Sequence, residues 1–195
     1  MTSSPAPRGR PRDERSHAAI VTAAAELVAE VGYDATSINA VAARAGVGKD
    51  TVYRRWSGKA ELVYEAVFTV TDTAPVPDTG TIENDVTVLV QGLVDEFSTP
   101  AAAAALPGVL ADFAADPALR DRIRATFLMP AKERLLSVFG RAAERGETVA
   151  AVPADLLLDT LVGAVFFHLG ILGERPDREL AQRIAALVTK GIETR

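Results

Sequence analysis

Apolar residues recur in the first part of the chain at the spacing of an α-helix. In the segment 16–31 they share one helical face, which consists of Ile20, Ala24, Leu27, Val28 and Val31. Gly32 comes next and predicts the end of this helix, because glycine readily adopts the left-handed conformation of a C′ residue. The pattern therefore predicts a first amphipathic helix that buries one face.

Three shorter helical segments are predicted after it. Thr36 and Ser37 suit the N-cap of a second helix, and Gly46 predicts its end. The inward residues of this helix are Ile38, Val41, Ala42 and Ala45. A third helix is expected at 49–56 after a glycine turn. A fourth begins near Lys59, and its inward residues are Leu62, Val63, Ala66, Val67 and Val70.

A linker at 73–80, rich in proline and glycine, precedes a longer helical region. In that region we expect helices at 82–98, 103–115, 117–145, 154–172 and 177–193. The β-branched residues of 86–94 also suit a strand, but no second strand-like run exists to pair with it. The chain is therefore expected to be all-α, with an N-terminal three-helix domain and a larger C-terminal helical bundle.

Proline positions refine these boundaries. Beyond the linker, five prolines fall mostly at expected helix starts or breaks, namely Pro100, Pro107, Pro117, Pro153 and Pro176. Pro130 is the exception and predicts a kink or break inside a helix. We divide the chain into a flexible basic arm at 1–15, the three-helix domain at 16–60 and the helical bundle at 61–195.

The charge of the chain is unevenly distributed. Residues 1–60 carry nine Lys or Arg and six Asp or Glu, whereas the remainder carries 12 basic and 20 acidic residues. The net charge of the whole chain is −5. Such asymmetry points to an anionic partner, such as a nucleic acid, at the basic end.

The composition offers little support for catalysis or metal binding. There are no cysteines and only two histidines, and the sequence shows no nucleophile–base pair or phosphate-binding loop. We therefore expect neither an enzyme nor a metal or cofactor site. The arginine-rich start is not a secretory signal, and the longest apolar run, 160–173, falls short of the roughly 20 residues that span a bilayer. These features predict a soluble cytoplasmic protein with no membrane partner.

The segment 37–59 has the pattern of a helix-turn-helix. Two short helices are joined by a glycine turn, and their small inward residues allow a close crossing. The outward residues of the second helix, whose side chains can reach phosphates or base edges in a major groove, are Lys49, Asp50, Arg54 and Arg55. Ordinary amphipathic helices share this spacing, so spacing alone leaves DNA binding and plain packing open.

Residues 20–62 contain a more specific combination of motifs. After the amphipathic first helix come Gly32-Tyr33, Thr36-Ser37, Val41-Ala42, Ala45-Gly46-Val47, Tyr53, Trp56 and Gly58-Lys59-Ala60-Glu61-Leu62. In this combination the chain resembles the TetR family of bacterial transcriptional regulators. The resemblance implies a homodimer that binds a pseudo-palindromic operator in double-stranded DNA and a small effector in its C-terminal domain.

The resemblance also implies roles for particular residues. Base contacts are implied for Asn39, Lys49, Asp50, Thr51 and Tyr53. Phosphate contacts are implied for Ser37, Arg54, Arg55 and Lys59. The amide groups at the start of the fourth helix would assist Lys59. Trp56 is implied to pack in the core.

Two residues depart from the family pattern. Gly48 replaces a hydroxyl residue and so removes one phosphate contact. Asp50 is acidic on a surface that would meet an anion, and it either accepts a hydrogen bond from a cytosine amino group or repels wrong sequences.

The basic arm allows two interpretations. Arg8 and Arg10 either enter a narrow minor groove or belong to a solvated tail.

The C-terminal helices suggest both self-association and ligand binding. Helix 154–172 is apolar on nearly all of its faces, and this is more apolar surface than one small subunit can bury. Helix 177–193 presents a narrower stripe, consisting of Leu180, Ile184, Leu187, Val188 and Ile192. The resemblance implies that these two helices form the homodimer interface. The candidate ligand contacts are Phe97, Phe113, Phe127, Met129, Phe139, Phe167 and His168, although aromatic residues at helical spacing also build ordinary cores.

Three functions are compatible with these features. The first, which we favour, is a homodimeric repressor released from DNA by a small apolar effector. The second is a constitutive DNA binder whose C-terminal domain only dimerises. The third is a helical enzyme, for which the sequence offers no catalytic motif.

Overall fold

The computed structural model describes residues 10–69, 75–147, 153–177 and 179–192, apart from the side chains of 10–12, 154–155 and 192. Helix α1 (Arg10–Ala35) begins before the expected start at Ser16, so residues 10–15 of the predicted arm are helical. Pro11 is tolerated in the first turn because the N–H it lacks has no partner there, and Asp13 favours the positive end of the helix dipole. Gly32 interrupts the helix with a φ of 82° and a ψ of 169°.

Three short helices complete the N-terminal part of the fold. They are α2 (Ile38–Arg44), α3 (Lys49–Tyr53) and α4 (Lys59–Phe68). Gly46 follows α2 with a φ of 67°, which confirms the expected glycine turn. The side chain of Ser37 accepts a hydrogen bond of 3.2 Å from the Ala40 N–H and so caps α2.

The described remainder of the chain is also helical. Its helices are α5 (Ile82–Phe97), α6 (Pro100–Ala115), α7 (Pro117–Ile123), α8 (Met129–Glu144), α9 (Ala154–Val165) and α10 (Leu180–Ile192). Segment 86–94 lies in α5, and the described residues contain no strand. The all-α expectation is therefore confirmed.

Two prolines, Pro107 and Pro130, lie within helical segments. The helix is not broken at Pro130, because a π-helical turn at Arg124–Leu128 joins α7 to α8 and places this proline in the first turn of α8. Pro107 lies inside α6 rather than at a start or break. The alanines at 101–105 favour a helix, and the burial of Ala102, Ala105 and Val109 supports α6 despite the lost hydrogen bond. A second π-helical turn, Phe166–Ile171, extends α9.

The buried side chains form two clusters. The first joins helices α1 to α4 to α6 and α7, and it includes Ile20, Val52, Trp56, Val63, Val109 and Ile123. The second lies among α5, α8, α9 and α10, and it includes Val86, Val90, Val138, Leu161 and Ala185. Helices α4 and α6 therefore share a core with the helix-turn-helix, and this core is continuous across residue 60.

The fold leaves several large apolar side chains exposed. Within the apolar stripe predicted for the last helix, Leu180 and Val188 are buried in the subunit, whereas Leu187 is 76% exposed. On α9 and its π-helical turn, the exposed residues are Leu156, Phe167, Ile171 and Leu172. No single helix in the described segments is long and apolar enough to cross a bilayer. The pair Pro100–Ala115 and Pro117–Glu144 meets that length and composition together but is bent by 117°.

Candidate DNA-binding surface and effector cavity

The turn between α2 and α3 holds one face of α3 outward. The Val47 N–H donates a hydrogen bond of 3.0 Å to the Ala42 carbonyl, and Val52 is fully buried beneath α3. With Val52 inward, the exposed side chains of this segment are Lys49, Asp50, Tyr53 and Arg54. Thr51 is half-buried, and Ser37 and Asn39 are exposed at the start of α2. The predicted base-contacting residues are therefore at least partly accessible, and Lys49 Nζ lies 5.4 Å from the centroid of the Tyr53 ring on the same side of α3.

Two cations predicted to contact phosphates also bind within the protein. Arg55 Nη2 pairs with the Asp13 carboxylate and donates to its carbonyl at 3.0 Å. Lys59 Nζ donates to the Tyr33 carbonyl at 3.0 Å and lies 4.1 Å from the centroid of the Tyr33 ring. These contacts tie the start of α4 and the end of α3 to α1.

The predicted arm lies largely beyond what the structure describes. Arg8 lies outside the described residues. Arg10 is the first residue of α1, and its side chain is not described. Neither interpretation of the arm is therefore tested.

Trp56 packs in the core, as the resemblance implied. It is 2% exposed, and its Nε1 donates a hydrogen bond of 2.6 Å to Glu65 Oε2. His17 stacks on the indole with ring centroids 5.2 Å apart, and its Nε2 lies 2.8 Å from Glu65 Oε1. The Glu65 carboxylate thus joins α1 and α4 to the segment that follows α3.

A cavity of about 660 Å³ opens beside α4 and α6. Its other walls come from α5, from α9 and from the segment around the first π-helical turn. Six aromatic rings line it, namely Tyr64, Phe68, Phe97, Phe113, Phe127 and Phe166. The aliphatic lining includes Leu93, Leu106, Val109, Leu110, Leu128, Met129, Leu158 and Val162. Its volume is within the range of small-molecule sites, which is roughly 300–1,000 Å³.

Four of the predicted ligand contacts line this cavity and three do not. The four that line it are Phe97, Phe113, Phe127 and Met129. Phe139 packs against the second core, about 15 Å along α8 from Met129. Phe167 is 55% exposed, because a rotation of about 100° per residue turns it away from the lining Phe166. His168 instead pairs with Glu174 at 3.4 Å.

Several lining residues were not predicted from the sequence. Tyr64 and Phe68 lie one helical turn apart on α4, and this spacing of two aromatic residues was an available signal. Glu96 is only 4% exposed although it is charged, and it lines the cavity near the end of α5. In the sequence, nothing distinguishes a buried glutamate next to Phe97 from a solvent-exposed glutamate near the end of a helix.

Helix α6 lies between the cavity and the helix-turn-helix. One of its faces lines the cavity with Leu106, Val109, Leu110 and Phe113. On the other face, the Tyr33 hydroxyl donates a hydrogen bond to Asp112. Burial, followed by this hydrogen bond, raises the pKa of the Tyr33 phenol, so Tyr33 stays protonated as a donor at neutral pH. Any movement of α6 that changes the size of the cavity would therefore also change the contacts of Tyr33.

Away from the cavity, a second buried carboxylate forms hydrogen bonds and an ion pair. Asp85 is fully buried and accepts hydrogen bonds from the Thr79 N–H at 2.6 Å and from Arg145 Nη2 at 3.0 Å. Arg145 also binds Glu147 through Nε at 2.8 Å. Within the described segments, no group of three or more His, Asp or Glu side chains could hold a metal ion.

These features define a sequence-specific DNA-binding transcriptional regulator with a helix-turn-helix and a ligand-sized cavity. Residues 20–66 match the family described as bacterial regulatory proteins, tetR family. Residues 76–188 match the tetracyclin repressor-like, C-terminal domain. The chain belongs to the TetR family of bacterial transcriptional regulators.

Individual relatives agree with this assignment over nearly the whole chain. The uncharacterized HTH-type transcriptional regulator YdeS of Bacillus subtilis is 30% identical over 95% of this chain and 94% of its own length. The DNA-binding transcriptional repressor TetR of Mycobacteroides abscessus is 30% identical over 85% of this chain and 88% of its own. The crystal structure of the TetR family transcription regulator SCO0332 has the same fold, with a TM-score of 0.73, 23% identity and coverage of 92% and 100% of the two chains.

Proposed function

We propose that this protein is a homodimeric repressor that leaves its operator when a small, largely apolar molecule fills the cavity. The observation that carries the proposal is the position of α4 and α6, which pack with the helix-turn-helix on one side and line the cavity on the other. A ligand that changes the spacing of these helices would change the DNA-binding domain as well. Repression itself is suggested by the name of the Mycobacteroides abscessus relative.

The exposed face of α3 is the proposed base-reading surface. Its side chains, together with Asn39 of α2, would enter the major groove, and those proposed to contact bases are Lys49, Asp50, Thr51 and Tyr53. Ser37 and Arg54 would contact phosphates beside them. Arg55 and Lys59 would do the same, because a guanidinium has five N–H donors and an ammonium three, so their internal bonds leave donors for phosphate. The arm with Arg8 and Arg10 would add contacts in the minor groove.

The exposed apolar face of α9 and α10 is the proposed dimer interface. Leu156, Phe167 and Leu187 are each more than half exposed in the single subunit. Buried residues such as Leu161 and Val188 hold the opposite faces of the same helices in the second core. Burial of the outer faces against a second copy would place two recognition helices on successive turns of a pseudo-palindromic operator.

We further propose that the protein acts in the cytoplasm, where it would have access to the chromosome, and that it catalyses no reaction. The cavity supports the second of these proposals, because its lining offers rings and aliphatic groups rather than a nucleophile beside a base. Its role would be to bind a molecule and release it unchanged.

The test is binding of the purified protein to the DNA that flanks its own gene, at physiological salt with excess nonspecific competitor. The competitor separates sequence recognition from simple attraction to phosphates, whose contribution depends strongly on salt. We expect a discrete, competitor-resistant complex with two subunits per site. If neither this DNA nor a random-sequence selection yields such a complex, the proposed operator binding is wrong. If no bound molecule weakens the complex, the protein is instead a constitutive DNA binder.

A further inference from the structure

The cavity has a connected aromatic wall. Ring contacts run from Phe127 through Tyr64, Phe68 and Phe97 to Phe166, with successive ring centroids 5.4–6.4 Å apart. The faces of such rings carry partial negative charge and attract cations as well as apolar groups. The wall therefore suits an aromatic molecule and does not disfavour a positive one.

Glu96 is the most deeply buried charged group of the lining. Removal of a carboxylate from water is costly, and side chains of this type are rarely buried unless they are paired or bind something. Glu96 already interacts within the protein, but a carboxylate has about four acceptor positions and no donor. It therefore retains the capacity to accept a hydrogen bond from a ligand that carries an N–H group.

The remaining charged lining groups are closer to solvent. Arg124 and Asp159 are exposed, and Lys132 is only partly buried and interacts within the protein. An anionic ligand would find the cations of the lining close to solvent and a carboxylate in the buried part of the lining. A cationic ligand would find the reverse arrangement, with its charge at Glu96 and its rings along the wall.

We infer that the effector is an aromatic molecule with a cationic nitrogen, which donates a hydrogen bond to Glu96 while its rings pack against Phe68, Phe97 and Phe166. This inference rests on the proposed function, since it concerns the ligand of the same cavity. It adds the charge and the anchoring residue, which the apolar lining alone does not specify.

The test compares three probes of similar shape and different charge: 1-naphthylmethylammonium, 1-naphthylmethanol and 1-naphthoate. Their affinities for the full-length protein without DNA are measured by fluorescence titration. We expect the ammonium probe to bind at least about tenfold more tightly than the other two, because a charge-assisted hydrogen bond is stronger than a neutral one. Equal affinities, tighter binding of the carboxylate, or no binding of the ammonium probe would overturn the inference.

Two variants locate the charge preference. Glu96→Gln should weaken the ammonium probe by about 10- to 100-fold and leave the neutral probe nearly unchanged, which also shows that the variant is folded. Asp95→Asn removes the neighbouring carboxylate of α5, which is exposed and does not line the cavity, and should change neither affinity by more than about twofold. Equal losses in the two variants would contradict the role of Glu96.

A second measurement separates this inference from the proposed function. The ammonium probe is added to the operator complex of the wild-type protein. If it binds the cavity with the expected preference but leaves the complex intact, ligand release is wrong while the chemistry of the cavity stands. If operator release occurs equally with all three probes, the proposed function stands and the cationic inference is wrong.

Discussion

The hydroxyl of Tyr33 donates a hydrogen bond to the carboxylate of Asp112, across the junction between the helix-turn-helix and α6. One turn earlier on α6, Gly108 lies so close to the same ring that a Cβ there would fall 2.1 Å from Tyr33 Cδ1. Lys59 holds the Tyr33 backbone from the other side. The junction therefore links the start of α4, the end of α1 and the outer face of the cavity wall.

Gly108→Ala should destabilise the protein by about 1–3 kcal/mol, because the added methyl group forces the Tyr33 ring or α6 to move. This loss is expected even though alanine favours a helix over glycine by about 1 kcal/mol. Gly140→Ala in α8 is the matched control, since nothing lies within 4 Å of its Cβ position. It should stabilise the protein by about 0.5–1 kcal/mol. Urea unfolding measures both, and a Gly108→Ala variant that is as stable as the wild type, or more stable, would contradict the close packing of Tyr33 on α6.

Lys49→Ala and Arg54→Ala should affect operator binding in different ways. Lys49 is proposed to contact a base, so its loss should relax base preference at one position and cost about 1–3 kcal/mol there. Arg54 is proposed to contact a phosphate, so its loss should weaken all sequences alike and reduce the salt slope by about one. Binding to an operator library at several salt concentrations distinguishes the two effects. If both variants lose affinity uniformly, α3 is not the reading helix.

Leu187→Glu should weaken the proposed homodimer at least tenfold, because a carboxylate in an apolar interface has no partner and loses its hydration. The control is Leu136→Glu on α8, where the side chain is also exposed, at 46%, but lies outside the proposed interface. Sedimentation equilibrium measures the subunit association of each variant. A dimer that survives Leu187→Glu and dissociates with Leu136→Glu would place the interface elsewhere.

Asp85→Asn should destabilise the protein by about 1–3 kcal/mol at neutral pH, because it leaves Arg145 with one less anionic partner in a buried site. Asp78→Asn removes a carboxylate that pairs with the same Arg145 at 3.1 Å but is 62% exposed. That control should change the free energy of unfolding by less than about 1 kcal/mol.

The contribution of Asp85 should also depend on pH. Burial alone would raise its pKa, but the hydrogen bonds from Thr79 and Arg145 prevail and lower it below the usual value. A lowered pKa in the folded state stabilises the protein above the pKa of the unfolded state, which is about 3.9, and this gain is lost as the pH falls further. The stability difference between wild type and Asp85→Asn should therefore be constant from pH 7 to about 5 and shrink below about 4. A difference that grows on acidification would contradict this assignment.

The helices and their junctions were largely predictable because their signals are local. Gly32 and Gly46 marked the two turns with positive φ around the helix-turn-helix, and both occur where the sequence placed them. Trp56 is buried, as the resemblance implied. Pro107 was misjudged, since it lies inside α6, whereas Pro130 closely follows a π-helical turn, an irregularity in the region where a kink or break was expected. A proline reports a missing N–H but not how the neighbouring turn compensates for it.

The cavity was only partly predictable. Phe97, Phe113, Phe127 and Met129 were identified by residue type, whereas Phe139, Phe167 and His168 have the same character and lie elsewhere. A difference of one position along a helix rotates a side chain by about 100° and moves it from one surface to another. Residue type therefore predicts that an aromatic cluster exists, but not which rings enter it.

Periodicity, glycine turns and the motifs between residues 20 and 62 sufficed to predict an all-α regulator, because each of these signals spans only a few turns of helix. The hydrogen bond between Tyr33 and Asp112 joins residues 79 positions apart, and the burial of Glu96 among aromatic rings requires several helices to pack together. Such relationships depend on how the helices rotate and cross, which no local pattern specifies. The sequence alone was therefore sufficient to predict the class of protein, whereas the cavity and the connection of the cavity to the DNA-binding surface arise only from tertiary packing.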